Sequence, residues 1–160
     1  MANVAKPVPE GFHTITPQLV LDNGAQAIEF YKKAFGAEEI NRHLGPDGKI
    51  MHAMLKIGDS FVMVNDAMMG SKSAKGYGGS PASLWLYVND CDALFKRATG
   101  AGAKVHVPLA DQFWGDRGGA VTDPEGYTWW IATHKEELTP AEMEQRAKEF
   151  FKQMAPSASH

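Results

Sequence analysis

Residues 111–127 read DQFWGDRGGAVTDPEGY, which puts Trp114, an Asp116–Arg117 pair, a Gly-Gly pair and a DPEG turn into one stretch. An arginine guanidinium is a planar fork that grips a carboxylate, backbone carbonyls or an anionic ligand. Arg117 is therefore a candidate anion contact and, more simply, a strut for its own loop, with Trp114 beside it placed to touch a ligand. His52, in IMHAMLKI, could serve as a general base with Tyr87 or Arg117 steadying an anion, although a lone strand histidine is also ordinary core. Cys91 is the only cysteine. It falls on the apolar stripe of a helix, and no Gly-x-Ser-x-Gly elbow is present, so nucleophilic triads find no support. Zinc sites built on Cys-x-x-Cys are excluded.

The chain of 160 residues, with a net charge of −3 and one cysteine, has the composition of one ordinary domain or two small halves sharing a core. No basic run offers the concentrated positive face that phosphate neutralisation needs, which argues against nucleic acid. No apolar run reaches membrane-span length, and MANVAKPVPEGF lacks the apolar centre of a signal peptide. A cytoplasmic protein with neither membrane nor nucleic-acid partner is expected, consistent with a cysteine that has no disulfide partner.

The elements that must position these residues follow from periodicity. Residues 1–12 read as a loose arm. TITPQLVLDN is β-rich and ends on Asp22–Asn23, good helix caps. A helix follows, with Gly24, Ala27, Ile28, Tyr31, Ala34 and Phe35 on one stripe and Gly36 at its end. AEEINRHL, KIMHAMLKI and SFVMVN read as three strands joined by tight turns. A linker over 67–81, rich in Gly, Ser and Lys, breaks the pattern and is expected to be mobile, as a lid or a connector. The order then returns. ASLWLYVND is a strand, CDALFKRATGAGA a helix, and KVHV, GAVTD and YTWWIAT are strands. LVLDN (19–23) aligns with WLYVN (85–89), and FGAEE (35–39) with AGAKV (101–105), at nearly one offset. This is an internal repeat of β-α-β-β-β units, over 13–66 and 82–135, within one domain spanning 13–135. Thr139, Pro140 and Glu142 then open a C-terminal helix in a segment running from 136 to 160, by an N-cap, a proline at the first helical position and a capping-box partner. Its stripe of Met143, Ala147, Phe150, Phe151 and Met154 must be buried on its own domain or on a second subunit.

Paired units of this kind, with AIEFYKKAFGAEE after the first strand and DPEGY before the last, resemble the vicinal oxygen chelate superfamily. That group covers glyoxalases, bleomycin-resistance proteins, fosfomycin-resistance enzymes and extradiol dioxygenases. AIEFYKKAFGAEE, DGKIMHAMLKIGDS, LYVNDCDALFKRATGAGA and FWGDRGGAVTDPEGYTWWIATH, in that order, resemble its PhnB-like branch, and the likeness spans about residues 12 to 135. The resemblance implies an α+β fold of tandem β-α-β-β-β modules forming a curved mixed-sheet cup, helices outside and ligand inside, and a homodimer. It also implies where family members hold a divalent metal: here Thr16, Met63 or Val64, Ser83 and Trp130. Such ions want imidazole, carboxylate or amide oxygen, so this set implies that the inherited site is lost.

Strand alternation then selects the cup lining. Met51, Ala53, Leu55 and Ile57 should pack on the helices, leaving Ile50, His52, Met54 and Lys56 on the cup side. Ile15, Leu19 and Leu21 point outward, leaving Thr16, Gln18 and Val20 inside. Ser83, Trp85 and Tyr87, and Thr128, Trp130 and Ala132, also face in. The expected ligand pocket comprises Thr16, Gln18, His52, Met54, Ser83, Trp85, Tyr87, Trp114, Arg117 and Trp130. It is aromatic and apolar with a few polar tips, as a site for a planar or hydrophobic small molecule requires. The expected function is therefore binding or sequestration of such a ligand, with no cofactor. Bleomycin itself fits poorly, since a bulky cation wants an acidic cleft. The alternative is a metal-dependent lyase, isomerase or dioxygenase using a divalent metal at a relocated site around His52.

Overall fold

The computed structural model describes residues 5–155. The outermost parts of the expected arm and tail, 1–4 and 156–160, lie outside the described residues. In chain order the elements are β1 (Gln18–Leu21), α1 (Gly24–Phe35), β2 (Glu38–Leu44), β3 (Ile50–Ile57), β4 (Ser60–Asp66), β5 (Ser83–Tyr87), α2 (Cys91–Gly100), β6 (Lys104–Asp111), β7 (Asp116–Thr122), β8 (Thr128–His134) and α3 (Pro140–Met154). They form two four-stranded mixed sheets with matching orders, β1-β4-β3-β2 and β5-β8-β7-β6. In each, the first strand runs parallel to the fourth and the rest pair antiparallel. The repeat read from the sequence is thus a repeat of topology, and the α+β class with a C-terminal helix holds.

Local chemistry explains the helix ends. Asn23 caps α1 by accepting from the Gln26 N–H, and Asp90 caps α2 by accepting from the Ala93 N–H. Thr139 and Glu142 close the expected capping box on α3, with Pro140 at its first position. Asp66, at the end of β4, reinforces the start of α1. Its buried carboxylate accepts from the N–H groups of Gly24 at 2.6 Å and Ile50 at 2.8 Å.

The helix-facing rows of both sheets merge into one core. Leu19, Leu21, Leu55 and Val64 of the first module join Ile28, Tyr31 and Phe35 of α1, Cys91 and Ala98 of α2, and Val121, Trp129 and Ile131 of the second module. Trp129, 1% exposed, lies against Phe35 at 4.7 Å and Tyr31 at 5.5 Å between ring centroids. Burial of this kind is worth about 25 cal/mol per Å2 of apolar surface, and it joins the two modules.

A carboxylate clasp accompanies the packing. Asp123 is buried and accepts from the Tyr31 hydroxyl at 2.7 Å, the Trp129 indole at 2.8 Å and the N–H groups of Glu125 and Tyr127 at 2.9 Å. Glu125 accepts from the Asp22 and Asn23 N–H groups at the entry to α1. The Tyr127 hydroxyl accepts from the Val20 N–H and donates to its carbonyl, taking up part of the open edge of β1. The DPEGY segment, read from sequence as a tight turn, is also the polar tie between modules.

Two details depart from the expected phase. Register between β2 and β3 shifts after the His43–His52 pair, so that Leu44 meets Ile50. This bulge at Met51 sends Ile50, 1% exposed, into the core and leaves Met51 55% exposed. From His52 onward the alternation holds. In the first strand, β1 begins only at Gln18, so Ile15 precedes the ladder and stands in solvent rather than packing on the helices.

Candidate functional site

The face of the second sheet turned away from the helices carries an aromatic wall. Trp85 on β5 and Trp130 on β8 are register partners, and their rings stack at 4.7 Å and 5°. Tyr87, two residues along β5, lies beside Trp85 at 6.0 Å. Trp114, on the connection between β6 and β7, meets both tryptophans edge-on at 6.3 Å. Phe113 continues the wall at 5.1 Å from Trp114 and itself contacts Phe150 and Phe151 of α3. Trp85 remains 41% exposed and Tyr87 61% exposed.

Behind the wall sits Asp116, 4% exposed. Its Oδ2 accepts from the Tyr87 hydroxyl at 3.0 Å and from the Trp114 indole N–H at 2.9 Å, while Oδ1 meets His134 Nδ1 at 2.8 Å. His134 Nε2 faces Glu137 at 3.1 Å. The Asp116 bond, followed by the Glu137 one, holds the imidazole above its usual value, while partial burial and then the Asp116 bond raise the Tyr87 hydroxyl. Neither Asp116 nor His134 was singled out from sequence as a partner of the tryptophans. Strand pairing carried the signal, since Asp116, Gly118 and Ala120 alternate onto the face of Trp130.

Arg117 lies on the other face of β7. Its guanidinium grips Asp92 at the start of α2 with two 2.8 Å bonds and reaches Asp111 at 3.3 Å. The Asp92 bonds lead in raising it further above its already high value, and Arg117 in turn lowers the Asp92 carboxyl. Asp116 and Arg117 are sequence neighbours serving opposite faces. The guanidinium is bonded to carboxylates on the face away from the wall.

The glycines in this stretch act mainly through space. Gly115 has φ +96°, and a side chain on it would run into the Glu136 carbonyl; one on Gly119 would meet Val107 and Leu109 backbone at under 3 Å. Within 111–127, β6 runs to Asp111 and β7 spans Asp116–Thr122, so the Asp116–Arg117 pair stands on a strand rather than in a loop.

The first sheet has its own open face, more polar in character. Gln18 donates to the Asn65 side chain at 2.8 Å, and His52 lies 6.3 Å from His43 across the strands. Met54, 6% exposed, pairs with Met63. Within one chain these residues lie on a different sheet from the tryptophans, so the structure does not gather His52, Met54 and Gln18 with Trp85, Trp114 and Trp130. Thr16 precedes β1, and Ser83 opens β5 opposite Thr128.

A half-open groove of about 800 Å3 runs between the modules, lined by Ile57, Phe61, Leu84, Leu86 and Leu94, with Trp85 and Tyr87 at its rim. Of the expected pocket residues, only those two line it. The linker after β4 does not cover it from its middle. Ser73 and Ala74 are buried, and Ala74 packs on Gly126 of the DPEGY turn.

Of the residues that the resemblance assigns to a metal site, Thr16, Met63 or Val64, Ser83 and Trp130, Val64 is turned into the core. This donor set does not fit a divalent ion. Among the described residues, no group of three or more His, Cys, Asp or Glu is placed to share an ion, and no buried polar side-chain atom lacks a partner.

Two packed β-α-β-β-β modules with an open face on each sheet define the tandem-module class to which glyoxalases give their name. The profile of the Glyoxalase/Bleomycin resistance protein/Dioxygenase superfamily matches residues 11–131, and the chain belongs to that superfamily. It is 46% identical over 135 residues to the uncharacterized protein Rv0887c of Mycobacterium tuberculosis, covering 81% of this chain and 79% of that one. It is similar in structure to TioX from Micromonospora sp. ML1, with 28% identity, a TM-score of 0.61 and coverage of 79% of this chain and 100% of that one. The At5g48480 gene product of Arabidopsis thaliana gives 29% identity and a TM-score of 0.62 over 78% of this chain and 99% of that one. A PhnB protein from Bacillus cereus shares the fold at 16% identity and a TM-score of 0.60, over 76% of this chain and 99% of that one.

Proposed function

We propose that this protein binds a flat, hydrophobic small molecule on the tryptophan wall of its second sheet without a resident metal, and that a second copy of the chain closes the site. The observation that carries the proposal is the wall itself: Trp85 flat on Trp130, Trp114 edge-on to both, and Trp85 still 41% exposed. Stacking on such rings adds about 0.5–1.5 kcal/mol to the apolar burial of a planar ligand. Residue types at the family's metal positions support a binding role over metal-assisted chemistry.

The homodimer is supported by what one chain leaves uncovered. β1 and β5 are both edge strands, and the groove beside β5 is apolar. Ile15, 84% exposed, also lines that groove. Open edges are a hazard that folded proteins cover. A two-fold-related copy covers both at once and lays its Gln18, His52 and Met54 face over the tryptophans, which makes a closed cup of two half-sites. A cytoplasmic setting suits the single buried cysteine.

Tryptophan fluorescence titrated with phenazine, naphthalene-2-sulfonate and N-methylacridinium tests the reading. Saturable quenching by at least one is expected, with Trp85→Ala weakening it about tenfold, or roughly 1.4 kcal/mol. No response from all three overturns the proposal. One stoichiometric divalent ion on elemental analysis would replace it with the metal-dependent lyase, isomerase or dioxygenase reading.

A further inference from the structure

The wall is held from behind by one carboxylate. Trp114 lies on a connection outside the strands, and its indole N–H is bonded to Asp116. Tyr87 ends an edge strand, is 61% exposed, and its hydroxyl is bonded to the same oxygen. Ring contacts with Trp85, Trp130 and Phe113 are non-directional, whereas a charge-assisted bond from a buried acceptor selects one direction for the polar tip of each ring. The other oxygen reaches His134 on β8, whose far nitrogen meets Glu137 in the segment leading to α3.

We infer that Asp116 is the positioning residue of this wall: holding Tyr87 and Trp114 from one oxygen and His134 from the other, it sets the ring geometry that a ligand meets. The inference rests on the reading of the wall as the binding surface. Asp116 is buried behind the rings, so it acts through them. The charged and titratable groups around the pair are Tyr87 on β5, Glu137 after β8, and Asp111, Lys135, Glu136 and Arg146, which share a small polar pocket with Asp116.

Two substitutions separate positioning from simple bulk. Asp116→Ala removes every acceptor. Asp116→Asn keeps a carbonyl for Tyr87 and Trp114 and can turn its amide N–H to a neutral imidazole, but it cannot face a protonated one. Phenazine, uncharged over the range, serves as the probe. Asp116→Ala should bind it at least about tenfold more weakly at both pH 8 and pH 5. Asp116→Asn should stay within about threefold of wild type at pH 8 and lose about tenfold at pH 5, where His134 is charged. Wild type should change little.

An alanine variant that binds like wild type overturns the inference, as does an asparagine variant whose loss is the same at both pH values. Should Asp116→Ala fail to fold, the pH profile of Asp116→Asn decides alone. If wild type does not bind phenazine, the near-ultraviolet circular dichroism of the free protein still decides. The share of the aromatic signal due to Trp114 and Tyr87 should fall in Asp116→Ala and be kept in Asp116→Asn at pH 8, over the constant contribution of Trp129 in the core; an unchanged signal in the alanine variant refutes positioning whatever the wall binds.

Discussion

At the residue scale, period-two alternation separates Asp116 from Arg117. The aspartate organises rings on the open face of β7, and the arginine pins α2 on the other through its fork on Asp92. His134 gives this arrangement a measurable titration. Its folded value is raised, first by Asp116 and then by Glu137. The stabilisation it contributes is therefore complete below its unfolded value of about 6.5 and fades as pH rises through the folded one. An imidazole proton titration by NMR should place the His134 midpoint above that of a free histidine, and Glu137→Gln should lower it. A midpoint at or below the free value would contradict the observed contacts.

At the element scale, the DPEGY turn joins the modules through Asp123, Glu125 and Tyr127. Removing the hydroxyl in Tyr31→Phe takes one donor from a buried carboxylate and should cost about 1–2 kcal/mol in urea unfolding. Trp129→Ala empties the centre of the shared core and should cost about 3–5 kcal/mol. Tyr31 also sets an alkaline limit. Burial, then the charge of Asp123, raises its hydroxyl well above 10. The folded state thus holds the proton more tightly. That stabilisation is whole below the unfolded value of about 10 and is lost as pH climbs through the folded value. Unfolding midpoints should fall steeply in this alkaline window for wild type and less steeply for Tyr31→Phe; parallel curves would remove Tyr31 from the account. The helix caps at Asn23 and Thr139 were legible because a cap is a contact between residues three apart. The bulge at Met51 was not, because a register shift belongs to the pairing of two strands.

At the scale of the whole molecule, the repeat produces two sheets that share a core through their helices and leave their other faces open. Light scattering should give the mass of two copies, and Ile15→Glu, which puts a charge in the groove, should shift the protein toward one copy. A wild-type mass of one chain at every concentration would contradict closure by a second copy. Phe150 and Phe151 of α3 reach the wall through Phe113, yet Phe151 remains 62% exposed. The helix stripe expected to need a partner is thus only partly covered within its own chain.

By itself the sequence determined the elements, their repeat and the phase of most strands, since caps, periodicity and alternation are short-range consequences of backbone geometry. The single cysteine was equally legible there, because residue type needs no coordinates. Only the tertiary structure decided which rings share a wall, that Asp116 stands behind them, and that His52 lies on the other sheet within one chain. Those relations join residues far apart in the chain, and they depend on register, packing and the direction in which each sheet turns its open face.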